Sequence, residues 1–146
     1  MKGETKTGKT TARTKKLTPT GGPADRDEGR ALPESIDLAK RIVEVAADRQ
    51  ASNVVLLDAR EVCSFADYFV ICSGESDRQM EAIREAIAGM LRNEAHVSHH
   101  GEGDASSGWM LLDLGSIIVH IFTPFEREYY QLEELWSKAP ILVKVV

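Results

Sequence analysis

A mixed β-sheet flanked by helices, an α/β fold, is what the sequence predicts for residues 32 to 146. Three observations predict it. Apolar residues recur at helical spacing in three separate stretches, and short runs of branched and aromatic residues lie between them. The second and third helical stretches each open with a capping box. The resulting order is helix, strand, strand, helix, strand, strand, helix, with room for one further short strand in a glycine-rich loop, and it suits one sheet with helical cover.

The first helix is expected to begin near Pro33, a good first-turn residue, with Glu34 and Asp37 at the positive end of the helix dipole. Ile36, Ala39, Ile42, Val43 and Ala46 then form its apolar stripe. Val54 to Leu57 and Tyr68 to Cys72 read as two buried, adjacent strands. Ser76 and Gln79 open the second helix, whose stripe is Met80, Ile83, Ile87, Met90 and Leu91 and whose end falls near Asn93. His96 to Gly108 is dense in Gly, Ser and His and reads mainly as a loop. Trp109 to Leu114 and Ile117 to Thr123, separated by Gly115 and Ser116, read as a hairpin. Thr123, Pro124 and Glu126 start a third helix that places Tyr129, Leu132, Leu135 and Trp136 on one face. Pro140 ends it, and Ile141 to Val146 follows as an extended tail.

Composition narrows the function classes. No apolar run approaches the roughly 20 residues that span a bilayer, so no membrane segment is expected. No apolar stretch follows the N-terminal lysines, and two cysteines are too few for a disulfide framework; a reducing cytoplasm is the expected location. Cys63 and Cys72 lack C-x-x-C spacing and read as small buried hydrophobes. The net charge of -5 divides into +5 over residues 1 to 18 and -10 over the rest. Residues 1 to 31, rich in Thr, Lys, Gly and Pro, are expected to be a disordered basic tail, and residues 32 to 146 a single acidic domain. An acidic body repels nucleic-acid phosphate and attracts basic proteins, whereas the tail could make a weak electrostatic contact with RNA.

Catalytic signatures are sparse. His96, His99 and His100 near Glu102 and Asp104 could ligate zinc only if the loop folded around the ion, and the spacing matches no closed site, so a solvated loop is expected. Ser73-Gly74 sits between a strand and a helix, but no Walker-type lysine and no G-x-G-x-x-G run accompanies it. Asp58, Asp67 and Asp113 are separate carboxylates at strand ends, and the Asp25-x-Asp27 pair lies in the tail. Two-metal chemistry needs carboxylates paired on the sheet, so no enzyme and no cofactor are expected. A nucleotidyltransferase-like enzyme and an RNA-binding module using the basic tail are the alternatives. Large side chains on the hairpin are more informative. Trp109, beginning a strand after Ser106-Ser107-Gly108, reads as an exposed anchor for a protein partner; Leu114 at the turn reads equally as core or contact; His120 reads as a hydrogen-bonded sheet histidine.

From about Ser35 to Trp136 the sequence resembles the ribosomal silencing factors, the Iojap or RsfS family. The residues that carry the resemblance are Asp67 with Tyr68 to Cys72, Ser73-Gly74, Arg78-Gln79, Glu102-Gly103, Trp109 with Leu112-Asp113-Leu114-Gly115, Ile118 to Ile121, and Arg127 to Tyr130 through Leu132-Glu133-Leu135-Trp136. The resemblance implies a nucleotidyltransferase-like fold without catalytic carboxylates. It also implies docking on the large ribosomal subunit through its fourteenth protein, which blocks joining with the small subunit and represses translation. A link to ribosome assembly and a homodimer in the free state are implied too. The partner-binding residues it points to are Trp109, Leu114 and Phe122, with Asp113 and His120 in the same motifs.

Overall fold

The computed structural model describes residues 31–146, so the expected disordered tail, Ala31 apart, lies outside the described residues. The chain divides between Asp37 and Leu38. Of the first unit, Ala31–Asp37 is helical and forms the opening turns of α1 (Ala31–Asp48), two residues earlier than Pro33 alone suggests. Everything below concerns Leu38–Val146.

Six strands form one sheet: β1 (Ser52–Asp58), β2 (Tyr68–Ser73), β3 (His100–Glu102), β4 (Trp109–Asp113), β5 (Ile117–Phe122) and β6 (Ile141–Val145). Their spatial order is β3-β4-β5-β2-β1-β6. The central pair, β2 and β5, is parallel, with Tyr68 opposite Ile117 and Ser73 opposite Phe122; every other pairing is antiparallel. A parallel pair needs a long crossover, and here it runs through α2 (Asp77–Met90), a π-turn at Leu91–Ala95, β3 and β4.

The two central strands are buried over their whole length, which is why Tyr68 to Cys72 and Ile117 to Phe122 read as apolar runs rather than as alternating patterns. The pleat sorts the residues onto two faces. Val55, Leu57, Phe69, Ile71, Ile118 and Phe122 form one cluster, over which Trp109, Leu111, Leu132 and Trp136 pack. On the opposite face α2 lies against β4 and β5 with Met80, Ile83 and Ile87 fully buried. Arg41 of α1 bonds Glu94 in the π-turn after α2 at 3.2 Å, and Gln79 of α2 donates to the carbonyl of Gln50, just past α1, at 2.9 Å.

The second helix starts as its capping box requires, with Gln79 N donating to Ser76 Oγ at 3.1 Å. Gly74 faces it tightly, since a Cβ there would meet Met80 Cγ at 2.9 Å.

Two expectations change at the C-terminal end. The third helix is not continuous: α3 (Pro124–Tyr130) stops at Gln131, which adopts a left-handed conformation at φ 49°, and α4 (Leu132–Leu135) begins anew. Tyr129 and Leu135 therefore do not share a buried face with Leu132 and Trp136; both are exposed. Arg127 holds the break, donating to Glu133 and, at 3.0 Å, to Ser73 Oγ. Ile141 to Val146 is likewise not a free tail, because Ile141–Val145 pairs with β1 as an edge strand. Among the described residues no helix is long and apolar enough to cross a membrane.

Candidate docking surface on the hairpin

Trp109 is set in place by the turn before it. Asp104 caps a 3₁₀ turn (Ala105–Ser107), its carboxylate accepting from Ser107 N at 3.1 Å and Ser106 Oγ at 2.8 Å. Ser107 Oγ then donates to the carbonyl of Trp109 at 3.0 Å. Gly108 turns the chain at φ 80°, beside Glu126 and Thr123 where a Cβ would collide. The segment that reads as a loose loop is thus a structured lead-in, and Trp109 rises from a fixed strand end.

The indole is half-buried and lies among three rings. It stacks on Phe122 at 5.0 Å and 27°, meets Tyr130 at 4.6 Å, and lies 5.9 Å from His120. Its Nε1–H donates to His120 Nδ1 at 3.2 Å. Burial lowers the His120 pKa to about 4, so the imidazole is neutral and its own proton sits on Nε2. A neutral acceptor at that point fixes the indole orientation, which a rotamer-free aromatic contact alone would not.

The other end of β4 is shaped by the turn. Leu114 N donates to the Ile117 carbonyl at 2.9 Å, and Asp113 Oδ1 accepts from Gly115 N at 2.8 Å. Gly115, at φ 89°, supplies the left-handed step. β4 alternates half-buried and buried along its length, so Trp109, Leu111 and Asp113 face one way and Met110 and Leu112 the other. Trp109, Leu111 and Leu114 are therefore partly open apolar side chains along one strand and its turn.

A family profile described as ribosomal silencing factor during starvation matches residues 32–145. The chain belongs to this family. It is 39% identical over 106 residues to a ribosomal silencing factor of Bacillus subtilis, covering 70% of this chain and 90% of that one. A crystal structure of a Chromobacterium violaceum protein superposes with a TM-score of 0.66 at 30% identity, covering 73% of this chain and 91% of the other. The match also reaches a mouse protein named mitochondrial assembly of ribosomal large subunit protein 1, at 30% identity over 121 residues, with 80% of this chain but 50% of the mouse protein covered.

Within this silencing factor the five residues singled out from the sequence fall into two layers. Trp109, Asp113 and Leu114 are half-buried. Phe122 is fully buried and His120 is 7% exposed, so these two form the floor beneath Trp109 rather than the surface itself. The structure adds Leu111 and Tyr130. Leu111 was available to the period-two rule, being two residues from Trp109 on β4. Tyr130 was not, because its ring reaches Trp109 from α3, a contact between separate elements.

Two other polar groups near the strand ends have local partners. Asp58 forms a 2.7 Å pair with Arg60, which holds its carboxyl below the ordinary range, while burial pushes Asp67 above it. His100 lies 3.3 Å from Glu102. Among the described residues, no group of three or more His, Cys, Asp or Glu side chains converges as a metal site would. Cys72 is fully buried and its thiol is pushed up to about 12, the behaviour of a small core residue. Among the described residues, the cleft of about 340 Å³ beside Ser52, Ser73 and α3 is lined by Arg127, engaged by Glu133 and Ser73, and by Glu75, Glu128 and Glu134.

Proposed function

We propose that this silencing factor docks on the large ribosomal subunit, at its fourteenth protein, through the edge formed by Trp109, Leu111 and Leu114, and that it silences translation by excluding the small subunit. The observation that carries the reading is the pre-set tryptophan: half-exposed, hydrogen-bonded to a neutral histidine and backed by buried rings, on a chain that belongs to the silencing family. A rigid aromatic loses little entropy when a partner covers it, and such residues dominate interface energies. Asp113 shapes the turn that presents Leu114; His120 and Phe122 support Trp109 from below.

No catalysis is required. A factor that binds only the free large subunit withdraws it from joining by mass action. The acidic body suits a basic ribosomal protein, and the basic tail at residues 2 to 16 adds a salt-sensitive contact with rRNA. A role in large-subunit assembly is a second consequence of the same docking, favoured by the name of the mouse relative.

Sedimentation of the full chain with separated ribosomal subunits tests the docking. The protein is expected to travel with large subunits and not with small ones, and Trp109→Ala is expected to remove most of it from the large-subunit fraction. Equal recovery of variant and parent would refute the assignment of Trp109.

A further inference from the structure

A groove of about 350 Å³ lies between the β1–β6 pair and the end of α4, with β5 and β2 separating it from the strand that carries Trp109. That volume is in the range of small-molecule clefts. Strand register sets its floor. Val55 and Leu57 belong to the open-face cluster, and across the pair Lys144 is opposite Val55 and Ile141 opposite Leu57. Directly opposed residues share a face, so these four side chains line one side of the sheet.

The groove is graded along β1. At the Leu57 end it is apolar, with Ile141 58% exposed and Trp136 half-buried. The Trp136 ring is set by Phe69 at 5.3 Å and Phe65 at 6.3 Å, so its open side is presented in a fixed orientation. Asn53 and Lys144 stand at the other end. Asn53 is exposed and left-handed at φ 50°, at an irregularity in β1. From Asn53 to Leu57 the strand advances about 13 Å.

Charge selects the ligand. Arg127 reaches the polar end but is paired with Glu133. Among the described residues, neither Lys144 nor the Asn53 side chain has a hydrogen-bond or ionic partner. The adjoining cleft adds Glu75, Glu128 and Glu134. One free cation facing those acids suits a single carboxylate and opposes a phosphate dianion.

We propose that this groove binds a small amphiphilic monocarboxylate, its head on Lys144 and the Asn53 amide and its aryl or branched alkyl body on Trp136 and Ile141. The site is separate from the hairpin surface, and the proposal does not depend on the docking reading.

Phenylbutyrate is the probe, titrated into the isotope-labelled full chain and followed by NMR. The Trp136 indole N–H and Asn53 side-chain amide signals are expected to shift saturably while the Trp109 indole stays in place. Phenylbutanamide and phenylbutylamine are expected to bind about tenfold more weakly than the acid. Lys144→Gln should lose about tenfold for the acid alone, with Lys144→Arg restoring it. Ile141→Gln, at an exposed position, should weaken acid and amide alike, and all three variants should melt with the parent. Absence of a saturable shift at Trp136, equal affinity for acid and amide, or parental affinity in Lys144→Gln would each overturn the proposal. So would tighter binding of inorganic phosphate than of the acid at the same signals.

Discussion

The two faces of the central sheet are built from the same strands but to different ends. On β5, Ile117, Val119 and Ile121 point to the side covered by α2, whereas Ile118, His120 and Phe122 point to the side where Trp109 lies. The first face is mainly aliphatic and closed, with Tyr68 and Cys72 buried beside Ile117 and Ile121. The second is aromatic, carries a buried histidine that accepts a hydrogen bond, and is roofed by two short helices that leave Trp109 half open. The contrast separates stability from recognition: aliphatic packing under long helices holds the domain, while rings stacked on a rigid strand present a surface already in its binding shape.

Cutting into the closed face should have the largest effect. Leu56→Ala, at a fully buried side chain, is expected to cost about 3 kcal/mol of stability, measured by urea unfolding, with the folded fraction still sedimenting with large subunits. A comparable loss from an alanine at half-buried Leu111 would erase the distinction between the faces.

The open face carries a pH signature near neutrality. His120 titrates near 4 when folded against an ordinary 6.5, because burial disfavours the imidazolium. The unfolded chain therefore takes up the proton first. Stability from this group is complete above about 6.5 and is lost as pH falls towards 4, up to about 3 kcal/mol in all. Melting temperatures of the parent from pH 7.5 to 4.5, set beside those of His120→Gln, read this directly; identical slopes for the two proteins would remove His120 as the cause.

Trp109→Ala addresses recognition rather than folding. Binding to large subunits is expected to weaken by about 2 kcal/mol or more, with a smaller loss of stability than Leu56→Ala, since the indole is half-buried. Gly115→Ala should be the mildest. A side chain at φ 89° meets no neighbour within 4 Å, so the penalty is backbone strain alone, about 1 kcal/mol, visible as a lower urea midpoint.

The closed face was legible in the sequence and the open one only in part. Periodicity placed Met80, Ile83 and Ile87, and capping chemistry placed the starts of α2 and α3, because both signals act within a few residues. Trp109 and Leu114 drew notice as bulky residues at a strand start and a turn. That Phe122 and His120 lie beneath Trp109 follows from the hairpin register, in which Trp109 is opposite Phe122 and Leu111 opposite His120. No propensity signalled the left-handed Gln131, which divides α3 from α4; tertiary bonds from Arg127 flank it. The Ile141–Val145 strand was readable as extended but not as paired, since its partner lies far back in the chain at β1.

Mutual exclusion on the large subunit is the claim with most at stake, and subunit joining measures it. Purified large and small subunits are mixed in magnesium with increasing amounts of this protein and resolved on a sucrose gradient. The expected result is a falling peak of joined ribosomes, with the protein confined to free large subunits and Trp109→Ala inactive. An undiminished peak of joined ribosomes that carries the protein with it would contradict the account.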